Sequence, residues 1–215
     1  MVTRVKTTKK SLRRFTSTAS TIDMLTHSRL TLLSPKSWDD KSDAYALELY
    51  RDHFNLKNVL ALCFTQSGKT FHHWKVFAGS SDGVCIEFDK KKIIEDLDKI
   101  DGLEHGAVEY KTQSQLENSK IDLAKIAFIK RKPYAAENEY RFVYKGNTQD
   151  NVIHVPISLT SIKSITLSPW LPEGLVDIMK GVFNSCCKNN VDIKILHSKL
   201  LISNKWNIHL DVETL

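Results

Sequence analysis

The chain has 215 residues, 41% hydrophobic and 26% charged, the balance of a folded soluble protein and not of a disordered one. No apolar run approaches the roughly 20 residues of a membrane helix, and the N-terminus lacks the apolar stretch of a secretory signal, so no membrane partner and a cytoplasmic location are expected. The formal charge of +6 resides in residues 1–14, where Arg4, Lys6, Lys9, Lys10, Arg13 and Arg14 meet no acid, and the remainder is balanced. This predicts a basic, flexible arm over residues 1–11, able to touch nucleic acid weakly through phosphates, then a single domain over residues 12–215.

From there "STIDMLTHSRLTLLSP" predicts a helix capped by Ser20 or Thr21, with Ile22, Met24 and Leu25 turned inward, followed by a short strand. The acidic start of "KSWDDKSDAYALELYRDHF" suits the positive end of a helix dipole, and Tyr45, Leu49 and Phe54 form its expected inner face. "NVLALCF" and "GVCIEFD" are short apolar runs with polar flanks, the pattern of buried strands. Between them "KTFHHWKVFAGSSDG" predicts a short helix closing at Gly79. After them "KKKIIEDLDKI" carries Ile93, Ile94, Leu97 and Ile100 at helical spacing.

The second half predicts a strand at "GAVEYK" and a helix at "SKIDLAKIAFIKRK", with Ile121, Ala124, Lys125 and Phe128 in step, stopped by Pro133. "KPYAAENEYRFVYKG" then alternates as a strand does, with Tyr140, Phe142 and Tyr144 on one face and Glu137, Glu139, Arg141 and Val143 on the other. Strands at "NVIHVPI", "IKSITLS" and "VDIKILHS" accompany a helix opened by Pro172, whose stripe holds Leu175, Ile178, Met179, Val182, Phe183 and Cys186. No regular βαβ rhythm runs through this order, so the expected class is α+β, a mixed and mainly antiparallel central sheet with flanking helices.

Cys63 and Cys85 lie in apolar runs as small hydrophobes, Cys186 and Cys187 lack the spacing of a zinc or redox pair, and His72 and His73 make a poor chelate, so no metal is expected. The row Glu137, Glu139, Arg141 has two readings: an exposed strand face with ion pairs, or a site whose carboxylate, kept charged by a cation, stabilises a cationic transition state. Asp39, Asp40 and Asp43 either cap a helix or offer a pair for a divalent ion. In "FHHWKVF", His73 and Trp74 either stack on a flat ligand or anchor a core.

The succession "RRFTSTASTIDMLTHSRLTLLSPKSWDDKSDA", "ALCFTQSGKTFHHWKVFAGSSDGVCIEFD", "KRKPYAAENEYRFVY" and "ITLSPWLP" resembles a widespread bacterial family of unknown function, over about residues 12 to 172. Members of that family turn up in mobile and anti-phage defence contexts, which implies a toxin or effector. A more distant similarity is to ADP-ribosyltransferases. Arg14-Phe15-Thr16 looks like their first-strand element and Glu137-Asn138-Glu139 like their late Glu-x-Glu, whereas the middle Ser-Thr-Ser element is missing and "FHHWKVF" stands in its place. The resemblance implies an ADP-ribosyltransferase-like fold and NAD as a nucleotide substrate, with a protein or nucleic acid as acceptor. By that likeness Arg14 and Thr16 hold the nicotinamide riboside end, Glu139 stabilises the oxocarbenium ion, and Glu137 orients the acceptor. Arg141 fixes the acids or binds pyrophosphate, and Trp74 or His73 stacks on nicotinamide.

Two rivals belong to other classes. A metal-dependent nuclease would gather Asp39, Asp43, Glu87 and Asp89. A non-catalytic sensor would use the same aromatic and charged cleft to bind a nucleotide or a partner.

Overall fold

A computed structural model describes residues 10–187 and 191–201. The chain runs β1 (Ser11–Ser17), α1 (Thr18–His27), β2 (Arg29–Leu33), α2 (Lys41–His53), β3 (Asn58–Thr65), α3 (Phe71–Phe77), β4 (Gly83–Asp89), α4 (Lys90–Leu97), β5 (Leu103–Ala107) and β6 (Glu109–Lys111). It continues with α5 (Gln113–Glu117), β7 (Ile129–Arg131), β8 (Glu139–Gly146), β9 (Val152–Pro156), β10 (Ile162–Leu167), α6 (Glu173–Cys186) and β11 (Lys194–His197). β1 thus begins inside the expected basic arm, whose residues 1–9 lie outside the described residues.

The fold is α+β, as its pattern of elements predicts. Nine strands form one sheet in the order β11-β10-β4-β1-β3-β2-β9, with β8 beside β3 and β5 beside β8; its pairings are antiparallel except β10 with β11. β6 and β7 pair separately, in parallel. Side chains alternate across the sheet. Leu60, Leu62 and Phe64 of β3 join the main core beneath α1, α4 and α6, while Val59 and Ala61 face Leu47 and Tyr50 of α2 on the other side. A smaller cluster of Trp74, Ala78 and Cys85, with Phe15 against it, seats α3.

The sheet is split, and the split positions the site. β1 pairs with β4 at seven positions and β3 with β8 at eight, yet β1 meets β3 at a single pair, Arg13 with Thr65. From Arg14 onward the two strands diverge, and a gap opens on the side of α2 and α3.

Four local expectations are corrected. Ser17, not Ser20 or Thr21, caps α1, its side chain accepting from the Ser20 amide. The inner face of α2 is Asp43, Ala44, Leu47 and Tyr50, one turn-set away from the expected Tyr45, Leu49 and Phe54; Tyr45 is 59% exposed. "GAVEYK" divides between β5 and β6. The helix expected over "SKIDLAKIAFIKRK" is only a 3₁₀ turn, Leu123–Phe128, because the next three residues pair with β6 as β7 and carry Lys130 into an ionic cluster.

Candidate active site

Strand β8 is central in its half of the sheet. Glu139, Arg141 and Val143 stand opposite Thr65, Cys63 and Ala61 of β3, pointing toward α2. Arg141 is fully buried and its five N–H groups are all used. Nε and Nη2 donate to the Glu139 carboxylate at 2.6 and 3.0 Å, Nη1 and Nη2 to Asp43 at 2.9 and 2.7 Å, and Nη1 also to the Ala127 carbonyl at 2.8 Å. Lys130 completes the cluster, its Nζ lying 2.6 Å from Glu137, 3.3 Å from Asp43 and 3.4 Å from Glu139.

Glu137 is not on the strand. It ends a 3₁₀ turn, Lys132–Glu137, and Asn138 follows in the left-handed region at φ 46°, a conformation asparagine tolerates better than most residues. That turn, not strand alternation, brings the two glutamates to one ammonium. The Glu137 carbonyl accepts from Thr65 Oγ1 at 2.5 Å, and the Gln66 amide donates to the Asn138 carbonyl at 2.9 Å, so the turn is pinned to the end of β3.

The two carboxyls are driven apart in acidity. Burial pushes both up; at Glu139 the charge and hydrogen bonds of Arg141, with Lys130, outweigh it and leave the carboxyl below its ordinary value. At Glu137 burial prevails over Lys130, and the carboxyl lies above its ordinary value. The Glu139 amide donates to the Tyr110 hydroxyl at 2.8 Å, and burial pushes that phenol up to about 12. Burial, then the nearby Glu139, also pushes the Cys63 thiol well up, so it stays a thiol that donates to Glu139.

The cluster forms one wall of a cavity of about 550 Å³ at the split between β1 and β3. Glu137, Glu139, Asp43 and Lys130 line it together with Arg14. Arg13 is engaged by Glu87 at 2.9 Å and by the Ser67 carbonyl at 2.8 Å. Arg14 has no hydrogen-bond or ion-pair partner among the described residues, and burial holds its guanidinium below the ordinary value. Arg14 lines the cavity, where it can meet a ligand. Phe15, Trp38, Phe77 and Tyr134 supply aromatic lining, with Trp38 over Arg141 at 5.1 Å and Tyr134 over Lys130 at 4.9 Å.

Several expected site residues are placed elsewhere. Trp74 is fully buried, edge-on to Phe15 at 5.1 Å, and anchors α3. His73 is 2% exposed. Thr65 spends its hydroxyl hydrogen on Glu137, so His73 Nε2 donates to Thr65 Oγ1 at 3.2 Å and Nδ1 accepts from Thr70 at 2.6 Å. Neither ring reaches the cavity, because a seven-residue helix has no other face with which to hold the sheet. Arg141 fixes the acids, as one expectation had it, but has no donor left for pyrophosphate. Thr16, opposite Val84 in β4, is not among the residues lining the cavity.

Of the four acids of the nuclease reading, Asp39 and Asp43 line the cavity and Glu87 and Asp89 do not. Asp43 is held by Arg141 and Glu87 by Arg13, Asp89 caps α4, and among the described residues no three His, Cys, Asp or Glu side chains are grouped to hold a metal ion.

Lys130, Trp38, Phe77 and Tyr134 are lining residues that motif reading missed, and it offers Asp43 as a helix cap or metal ligand and not as the partner of Arg141. For Asp43 a clue was in the sequence. Residues 43, 47 and 50 share a helical face, and an acid on an apolar face requires a buried cation. Lys130 sits in a segment whose periodicity suggested helix, so no local pattern pointed to it.

Residues 73–142 match a family model described as Protein of unknown function (DUF2971), within the stretch over which the family resemblance runs. No curated protein matches the chain. Among solved structures the fold is similar to that of Thermus sp. 2.9 DarT in complex with NAD+, at 9% identity and TM-score 0.50, covering 91% of this chain and 98% of that one. DarT from the same organism in complex with carba-NAD+ aligns at 11% identity and TM-score 0.48, covering 89% and 97%. Its complex with ADP-ribosylated ssDNA aligns at 11% and 0.48, covering 91% and 97%. At these identities the likeness is one of fold.

Proposed function

We propose that the chain is an NAD-consuming enzyme, an ADP-ribosyltransferase or NAD glycohydrolase, with Glu139 as its principal catalytic carboxylate. The observation that carries this reading is a buried carboxylate kept ionised in the wall of a cavity that also presents a guanidinium, Arg14, with no partner among the described residues. Burying an ion network costs several kcal/mol per ion and is often matched in stability by apolar side chains, so its place at a cavity wall favours use of the charge. A fold shared with a protein solved in complex with NAD+ supports the same substrate.

In this reading Arg14 binds the anionic pyrophosphate or a ribose oxygen, and Phe77 and Trp38, in place of the buried Trp74 and His73, offer faces to the flat heterocycles. The bond from ribose C1′ to nicotinamide breaks, and nicotinamide leaves neutral with the electron pair. Positive charge grows on C1′ and the ring oxygen, where the fixed Glu139 charge stabilises it in a site of low dielectric. The acceptor oxygen or nitrogen, or water in the hydrolase case, bonds to C1′ and loses its proton to Glu137, whose carboxyl burial holds above its ordinary value and so makes a stronger base than an exposed carboxylate. The acceptor is a nucleophile on a protein or nucleic acid. The family resemblance adds a role as toxin or effector in anti-phage defence.

The test is incubation with NAD labelled on adenine, with and without cell extract, following nicotinamide release and labelled macromolecules. Wild type releases nicotinamide, Glu139→Gln slows release about a hundredfold or more, and label in protein or in nucleic acid names the acceptor. Turnover unchanged in Glu139→Gln overturns the reading. For the toxin role, expressed wild type slows growth of the host and Glu139→Gln does not.

A further inference from the structure

A second hollow lies beside the segment 34–36, between α2 and the start of β3. Its volume is about 280 Å³, just below the range of about 300 to 1,000 Å³ common for ligand sites. Leu47 and Val59, both buried, form its apolar floor. Three cations stand on its wall, Lys36, Arg51 and Lys57, against one acid, Glu48. Neither lysine has an acidic partner among the described residues, and Arg51 turns Nε and Nη2 toward its exposed neighbour Asp52 at 2.9 and 2.7 Å, a pairing worth little in water. The amides of Gln149 and Asn151 close the rim. Asn58 donates to the Asp150 carbonyl, and the Ser34 amide to the Asn151 carbonyl at 3.1 Å, so the rim is tied to the sheet before any ligand arrives.

We propose that this hollow binds a phosphomonoester of mononucleotide size, separately from the larger cavity. Lys36 and Lys57, neither with an acidic partner among the described residues, favour an anion of high charge, the guanidinium and amides supply directional donors, and the apolar floor accepts the sugar or base. Its size admits one nucleotide, whereas the cavity at the β1–β3 split is about twice as large. Glu48 fits a sugar hydroxyl, which a bare phosphate lacks. The phosphate comes either from a free nucleotide or from the end of a nucleic-acid strand. Occupancy of the hollow is independent of what the larger cavity binds.

The experiment is titration calorimetry of the full chain with AMP, inorganic phosphate and a short 5′-phosphorylated oligonucleotide, in the presence of saturating carba-NAD+ to occupy the larger cavity. The exposed double variant Lys36→Glu/Lys57→Glu, with its melting temperature as a folding control, is compared with wild type. The expected result is AMP binding that is tighter than phosphate and weakened about tenfold or more by the double variant. Oligonucleotide binding with the same sensitivity, and none for AMP, assigns the phosphate to a strand end. No saturable binding, or binding indifferent to the double variant, overturns the proposal; should that variant melt early, Lys36→Ala/Lys57→Ala decides in its place.

Discussion

Strand β8 and helix α3 both stand out in the sequence as bearers of chemistry, and the fold uses them in opposite ways. β8 buries its charges and brings them to a cavity wall, with Glu139 4% exposed beside a fully buried Arg141. α3 buries the residues that look functional, His73 and Trp74, and turns Val76 and Phe77, 56% and 43% exposed, toward the cavity. A buried ion persists only where partners replace its water, and β8 has those partners on α2 and β7. A buried aromatic on a short helix needs no such reason, since it is what attaches the helix.

The widest separation between the two regions comes from removing Asp43. Asp43→Ala leaves Arg141 short of a carboxylate in the interior and should cost about 3–5 kcal/mol, measured by urea unfolding, while Asp39→Ala on the exposed side changes stability by roughly 0.5 kcal/mol or less. Equal effects would place Asp43 outside the network. Trp74→Ala tests the anchor: a loss of about 3–5 kcal/mol is expected in the same assay, and a variant of unchanged stability with weakened NAD binding would return Trp74 to the ligand.

Acidification separates the regions by pH window. His73 is held below its ordinary value of 6.5, chiefly by burial. A base whose folded pKa is lowered stabilises fully above the unfolded value, and this contribution is lost as pH falls below about 6.5 toward the folded pKa. Glu139, held below its ordinary 4.5 although burial opposes it, keeps its contribution down to about that value and loses it at lower pH. Melting temperature should therefore decline in two stages, the first removed by His73→Gln and the second reduced by Glu139→Gln. A single stage untouched by His73→Gln contradicts the neutral ring bridging Thr65 and Thr70.

The smallest effect is expected at the outer face of α3. Phe77→Ala should leave the melting temperature nearly unchanged and raise the Kd for NAD about fivefold, the worth of one stacking contact. No change in Kd would shift that contact to Trp38 or Phe15.

Much of the frame was legible because its signals are local. Short apolar runs marked β3 and β4, alternation marked β8, helical spacing marked α4 with Ile93 and Leu97 buried, and the order of elements gave the α+β class. Where a sequence pattern served two structures, it misled. "SKIDLAKIAFIKRK" has the rhythm of a helix, but burial of Ile126 and Ala127 with pairing of β7 to β6 outweighs about 0.5 kcal/mol per residue of propensity. The proximity of Glu137 and Glu139 was visible in their spacing, though it arises from the left-handed Asn138.

By itself, then, the sequence determined the class of fold, most of its strands, and the adjacency of Glu139 and Arg141 at the start of β8, since each depends on residues a few positions apart. The tertiary structure alone decided which charges meet. Arg141 reaches Asp43 across 98 positions and Arg14 is left without a partner among the described residues, because those outcomes depend on how far β1 and β3 diverge and which face α2 turns inward. The same packing decided that Trp74 is interior and Phe77 is not, a distinction between neighbours on one short helix that periodicity over seven residues cannot make.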